Sequence, residues 1–195
     1  MKQLILASAS PRRARLLRQI GLDFQVMASR ISEEFATATV TSRPEKIVMD
    51  LAGAKVRQVA PAIAADAVII GADTIVFLGN RVLVKPTSEI EAVTMLTQLS
   101  GKTHQVFTGL AVYDCAGGRL ALDFAMTEVT FRPLDAREIV AYVQTKEPFD
   151  KAGAYGIQGR GAVFVAKING CYFNVVGLPL SKLALILNEF GFTVW

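Results

Sequence analysis

Leu4-Ile5-Leu6-Ala7-Ser8-Ala9-Ser10-Pro11-Arg12-Arg13 reads as a short buried strand that turns sharply into a helix, with two guanidinium groups at the turn. Ser10 is a favourable N-cap, and Pro11 takes the first helical position, where its missing N–H costs nothing. The pattern therefore predicts a helix from here to Gly21, with Ala14, Leu17 and Ile20 facing the core. The charge at the turn has an unusual sign. A helix N-terminus is partly positive, so each cation in its first turn is unfavourable by about 0.3–1 kcal/mol unless an anion lies between them. Arg12 and Arg13 both sit in that turn. Free backbone N–H groups, serine hydroxyls and two forked cations describe a phosphate site; a solvated basic helix end accounts for the same stretch equally well.

The rest of the chain supplies what such a site would need. Its 195 residues, 52% of them hydrophobic, are enough for a sizeable core in one large domain or two closely joined lobes, taken as a single domain over 1–195. The net charge of +4 is modest, and the cations are scattered among acids without interleaved aromatics, which argues against a nucleic-acid partner. Cys115 and Cys171 are far apart and lack metal-ligand spacing, so a zinc site is not expected. Two isolated cysteines suit a reducing, cytoplasmic setting. The apolar run at the N-terminus is too short for a signal peptide, and Ala60 to Ala72 is broken by Pro61, Asp66 and Gly71, so no membrane span is expected.

Past the first helix, Phe24 to Ala28 alternates like a strand and leads to Ser32-Glu33-Glu34. These acids read as a solvated loop unless a second carboxylate elsewhere can share a metal with Glu33. Ser42-Arg43-Pro44-Glu45 has the form of a capping box, followed by a stripe of Ile47, Val48, Leu51, Ala52 and Val59. Lys55 falls in the middle of that stripe, so its ammonium must reach an acid, a cleft or an anion, or else snorkel to the rim.

Ala67 to Leu78 is a near-continuous apolar run, the pattern of a strand buried on both faces. Asp73 interrupts it. A carboxylate there must be paired, protonated or metal-bound, because an isolated buried charge costs several kcal/mol. Gly71 would let another element approach the backbone closely. Gly79-Asn80 predicts a hairpin that returns Lys85 to within about one residue of Asp73. A two-residue and a three-residue loop would place Lys85 on opposite faces, and both remain open.

A helix capped by Ser88 follows, with Ile90, Val93, Leu96 and Leu99 inward and Gly101 at its end. Two long strands over 105–114 and 119–132 come next, then a helix over 135–146 with Asp135 and Glu138 as its capping box. His104, the one histidine, reads as a hydrogen-bonded structural residue. The loop Glu147 to Gly161 carries four glycines in nine residues, so its amides can turn toward a ligand, and Asp150, Lys151 and Gln158 add polar groups. Gln158 offers both a donor and an acceptor for a base edge. An Asn169-Gly170 hairpin turn and a helix after Pro179 complete the reading.

Ser8-Ala9-Ser10-Pro11-Arg12-Arg13, Glu33, Lys55, Gly71-Ala72-Asp73-Thr74, Lys85-Pro86, Ser100 to His104, Asp150-Lys151-Ala152-Gly153 and Val176-Gly177-Leu178-Pro179 resemble, in order and spacing, the Maf family of nucleoside triphosphate pyrophosphatases. The resemblance covers essentially the whole chain. It implies an α/β fold like that of the inosine triphosphate pyrophosphatases: a long bent mixed sheet flanked by helices, with a cleft between two lobes. It also implies hydrolysis of a nucleoside triphosphate to the monophosphate and pyrophosphate, with a divalent metal (Mg²⁺ or Mn²⁺), in a cytoplasmic protein that is often a homodimer. By the same resemblance Asp73 is the proton acceptor, Glu33 is the acidic metal position, and Ser8, Arg12, Arg13, Lys55 and Lys85 handle phosphates. The mechanism read from the residues gives the metal to Glu33 and Asp73 together, with Asp73 as base, metal ligand or both left open.

Arg12, Thr74 and Gln158 match the branch acting on dTTP and UTP, whereas a sister branch acting on 7-methyl-GTP tends to carry Trp, Gln and Glu there. The chain departs from many members in having Ser32 where a second acid adjoins the Glu33 position; Glu34 is the substitute at hand. A nucleotide-binding regulator of cell division without turnover is the alternative from another class, but it gives no reason for a carboxylate inside a strand at Asp73.

Overall fold

The computed structural model describes residues 2–31, 43–63 and 66–194. Glu33, with its neighbours Ser32 and Glu34, and the expected cap Ser42 lie outside the described residues. Strands β1 (Gln3–Leu6), β2 (Gln25–Val26), β3 (Ala67–Leu78), β4 (Arg81–Leu83), β5 (Thr103–Asp114), β6 (Leu120–Phe131) and β7 (Val165–Asn169) form one seven-stranded sheet. The helices are α1 (Pro11–Gln19), α2 (Pro44–Val59), α3 (Glu89–Leu99), α4 (Ala136–Gln144), α5 (Tyr172–Val176) and α6 (Leu180–Glu189). The strand order is β2-β1-β3-β5-β6-β7, with β4 also on β3. The sheet is mixed: β1 runs parallel to β2 and β3, and every other pairing is antiparallel.

The edge of β3 positions the site. One edge pairs with β5 from Val68 to Phe77. The opposite edge pairs with β1 only as far as Ile70 and with β4 only from Val76 onward. Among the described residues no strand pairs with residues 71–75 on that side, and Asp73 and Thr74 stand in this gap. The Leu78–Arg81 pair fixes the intervening loop at the two residues Gly79-Asn80. Extending the register would set Lys85 opposite Thr74, one residue from Asp73.

Alternation sends the two faces of β3 to different layers. Ile69 faces α2 together with Ala52, Val56 and Val59, while Ile75 meets Val48 and Phe107 on the same face. Gly71 and Gly109 make this close: a Cβ on Gly71 would lie 2.6 Å from the Ala52 carbonyl oxygen, and one on Gly109 would lie 2.1 Å from that of Val48. The opposite face splits into two cores. Val68, Ile70 and Ala72 pack with α1 and α6, whereas Val76 packs with α3, α4 and the loop after α4. The cleft opens between these two cores.

Local signals explain most of the boundaries. The Ser10 side chain accepts from the Arg13 amide, and Ser88 caps α3 in the same way. Asp135 and Glu138 form the reciprocal capping box expected for α4. Three expectations need correction. Helix α2 begins at Pro44 with Arg43 in the cap position, so Glu45 is too early to close a box with Ser42. Ile90 is 80% exposed, because Ala92, Met95, Leu96 and Leu99 form the buried face of α3. Asn169-Gly170 is no hairpin turn: β7 pairs with β6, and the chain continues from Gly170 into α5, where Thr127 accepts from the Cys171 amide and donates to its carbonyl.

Candidate active site

The cleft, of about 300 Å³, is lined from three directions. The β1–α1 turn contributes Ser8, Ser10, Arg12 and Arg13, the β3 gap contributes Thr74 with Lys55 and Lys85, and the loop after α4 contributes Asp150, Lys151 and Gln158. Every phosphate-handling or base-reading residue expected from the sequence, namely Ser8, Arg12, Arg13, Lys55, Thr74, Lys85 and Gln158, therefore lines one cavity. Lys151, expected only as loop polarity, joins them.

Lys55 forms the floor, with Asp73 behind it. Both face the α2 side of β3, and Lys55 Nζ donates to Asp73 Oδ1 in a buried ion pair. The ammonium also sits 3.5 Å from the Ala72 carbonyl oxygen at the open edge of β3. This explains how a lysine and an aspartate are tolerated inside apolar elements: each neutralises the other. Asp73 itself does not line the cavity, whereas Lys55 does. Because Asp73 and Thr74 are consecutive strand residues, they present their side chains on opposite faces of the sheet.

Arg13 is buried, and much of its donor fork is engaged within the protein. Nε donates to the Gly177 carbonyl at 2.8 Å, Nη1 to Ser8 Oγ at 3.1 Å and Nη2 to Thr74 Oγ1 at 3.0 Å. Gly177 has φ of +117°, which only glycine adopts readily, so the turn that aims this carbonyl at Arg13 requires it. Arg13 thus joins β1, β3 and the α5–α6 turn while also lining the cleft.

Arg12 behaves differently. Its Nη1 donates to Asp150 Oδ2 at 2.6 Å and its Nη2 to the Asp150 carbonyl at 3.1 Å, tying α1 to the loop across the cleft. Asp150 also accepts from Lys151 Nζ at 2.6 Å. Burial pushes the Asp150 carboxyl up, but hydrogen bonds from Lys151 and Arg12 more than offset this and hold it below the ordinary carboxylate value.

The loop after α4 is a run of short 3₁₀ turns organised by Glu147. Its carboxylate accepts from the Tyr142 hydroxyl at 3.1 Å and from the amides of Arg160 and Gly161 at 3.1 and 3.2 Å, which brackets Gln158 between fixed points. Beneath the loop, His104 Nε2 and the Tyr155 hydroxyl share a 2.8 Å hydrogen bond. Burial lowers the His104 pKa to about 4, so the ring is neutral near pH 7, in keeping with a structural residue.

Sequence reasoning missed Thr108 and Asn174, both fully buried. Thr74 Oγ1 lies 2.9 Å from Thr108 Oγ1, which donates to the Asn174 carbonyl at 3.0 Å. A hydroxyl facing the core midway along β5 was the available signal. Among the described residues, no three His, Cys, Asp or Glu side chains gather to hold a metal, and Glu33, the second expected ligand, lies outside them.

A mixed sheet with a helix N-terminus, five cationic side chains and a buried Lys–Asp pair around one cleft defines an α/β protein with a cationic cleft. A family model described as Maf-like protein matches residues 3–190, and the chain belongs to that family. Among curated relatives, the chain is 52% identical over 189 residues to a dTTP/UTP pyrophosphatase of Alkaliphilus oremlandii, covering 97% of this chain and 96% of the relative. It is 51% identical to one of Moorella thermoacetica, covering 100% and 98%, and 48% identical to one of Pelotomaculum thermopropionicum, covering both chains fully. No described helix is long and apolar enough to cross a membrane.

Proposed function

We propose that this protein hydrolyses nucleoside triphosphates, dTTP and UTP preferentially, to the nucleoside monophosphate and pyrophosphate, as a single catalytic domain. The observation that carries the reading is the buried Lys55–Asp73 pair at the floor of a cleft whose rim is cationic. A site that only bound nucleotides would need the cations but not a carboxylate held beneath them. The names of the relatives support the same substrates.

The chemistry is attack of water on the α-phosphorus with pyrophosphate leaving. A triphosphate carries about four negative charges near neutral pH, so positioning and charge compensation dominate catalysis. Lys55 and Lys85 balance charge at the gap, Ser8 offers its proton to a phosphoryl oxygen, and Arg12 exchanges Asp150 for the substrate. Asp73 orients the attacking water and accepts its proton, a role open to it once the incoming phosphates draw Lys55 toward themselves. The donor set suits a hard cation of the Mg²⁺ or Mn²⁺ type, which takes one or two carboxylates and completes its shell with phosphate oxygens and water. Asp73, with Glu33, would hold it, and it would polarise the phosphoryl oxygens and lower the pKa of bound water.

The test is a panel of nucleoside triphosphates with Mg²⁺, Mn²⁺ or EDTA, scored for pyrophosphate against orthophosphate. Metal-dependent pyrophosphate release, fastest with dTTP and UTP, is expected. Faster turnover of 7-methyl-GTP would move the protein to the sister branch. Tight binding without pyrophosphate release would favour the regulator reading.

A further inference from the structure

Two hydroxyls flank the Arg13 guanidinium, and their surroundings give them opposite hydrogen-bonding polarity toward the cleft. Ser8 Oγ accepts from Arg13 Nη1 at 3.1 Å and from the Ser10 amide at 3.2 Å. Both lone pairs are engaged, so Ser8 has its proton left to offer. Thr74 stands at one end of a longer chain. Arg13 can only donate, and the Asn174 carbonyl can only accept. Between them, only one assignment places a proton in each of the three contacts: Arg13 Nη2 to Thr74 Oγ1, Thr74 to Thr108, and Thr108 to the Asn174 carbonyl. The proton of Thr74 therefore points at Thr108, and its remaining lone pair is all that it can turn to the cleft.

A triphosphate presents only acceptors at neutral pH, so an acceptor-only Thr74 has nothing to exchange with it. Thr74 must meet a donor. Uracil and thymine carry one at N3–H, whereas cytosine has a lone pair at N3. Resting on the reading of the cleft as a pyrimidine nucleotide site, we propose that Thr108 is a positioning residue for base selection. By accepting the proton of Thr74, it commits Thr74 to receive N3–H of uracil or thymine and to repel N3 of cytosine. The serine side of Arg13 then faces phosphate and the threonine side faces the base.

The test compares UTP with CTP in wild-type protein and in Thr108→Val, Thr108→Ser and Thr74→Val, by kcat/KM for pyrophosphate release and by calorimetric affinity in EDTA. In Thr108→Val the Thr74 hydroxyl can rotate and donate to cytosine N3, so the UTP/CTP preference should fall about tenfold or more, chiefly through a gain with CTP. Thr108→Ser keeps the hydroxyl and should keep the preference. Thr74→Val removes the lone pair and should weaken UTP without improving CTP; this variant carries the test if Thr108→Val does not fold.

An unchanged UTP/CTP ratio in Thr108→Val or in Thr74→Val overturns the proposal. So does an equal change with both nucleotides, which would mean that Thr74 serves the ribose. If the wild-type protein released no pyrophosphate, the catalytic reading would fail, while the affinities in EDTA would still decide this one.

Discussion

The two walls of the cleft are held by different means. At the β1–α1 turn, regular structure sets the geometry: Ala7 N–H donates to the Ile70 carbonyl at 2.8 Å, Ser10 caps α1, and Arg13 anchors the turn to Gly177. Across the cleft, residues 147–161 form short 3₁₀ turns that pack on β3 and α3, and one carboxylate, that of Glu147, gathers the amides of Arg160 and Gly161 and the Tyr142 hydroxyl. The first wall draws on many backbone contacts and should withstand loss of any one side chain. The second concentrates three of its hydrogen bonds on the Glu147 carboxylate. Arg12 and Asp150 bridge the two at the exposed rim.

The largest effects are expected at the floor that both walls share. Asp73→Asn should lower kcat by about 10²–10⁴-fold, the usual loss for a general base, with the fold intact by circular dichroism; wild-type turnover in a folded variant would break the assignment. Lys55→Met leaves the Asp73 carboxylate buried without its cation, and a stability loss of about 3–5 kcal/mol should appear in urea unfolding.

His104 tests the loop wall through pH. Its pKa in the folded protein is about 4, below the usual 6.5, so between these values the unfolded chain binds a proton that the folded one does not. Its contribution is therefore complete above pH 6.5 and is lost as pH falls toward 4, at most about 3 kcal/mol. In thermal melts over that range the wild type should lose stability relative to His104→Phe as pH falls, and a constant difference between the two would overturn the assignment.

Glu147→Gln and Ser10→Ala compare the walls directly. The first should cost about 1.5–3 kcal/mol, because a charged acceptor of several bonds is weakened, and should raise KM more than it lowers kcat, since Gln158 rides on this loop. The second removes an N-cap worth about 0.5–1 kcal/mol and should leave KM nearly unchanged. Equal KM effects would show that the two walls are equally robust.

Much of the fold was legible because it rests on local rules. The strand–turn–helix at Ser10-Pro11, the caps at Ser88 and Asp135, the two-sided burial of β3 and the hairpin at Gly79-Asn80 each follow from a few adjacent residues. Lys55 was legible by helical phase, and Asp73 by its intrusion into an apolar run. Ile90 was misplaced because periodicity cannot say which of two apolar stripes meets the core; α3 buries Ala92 and Met95 instead. Asn169-Gly170 failed as a hairpin because Thr127, some 40 residues earlier, binds the Cys171 backbone and turns the chain into α5. The sharing of Arg13 was hidden for a similar reason: its carbonyl partner Gly177 is 164 residues away.

The opening stretch shows where sequence stops. By itself the sequence determined that a strand meets a helix at Ser10, that two cations crowd its positive end, and that a lysine and an aspartate elsewhere are too costly to bury alone. Only the tertiary structure decided which of these groups meet, and that they do so at the edge of β3 between its pairings with β1 and β4. It also decided proton direction. Thr74 and Thr108 are separated by 34 residues, and Thr108 and Asn174 by 66, so the opposite hydrogen-bonding polarity of Ser8 and Thr74 exists only once the sheet has formed. A hydroxyl donates or accepts according to what surrounds it, and no local pattern carries that information.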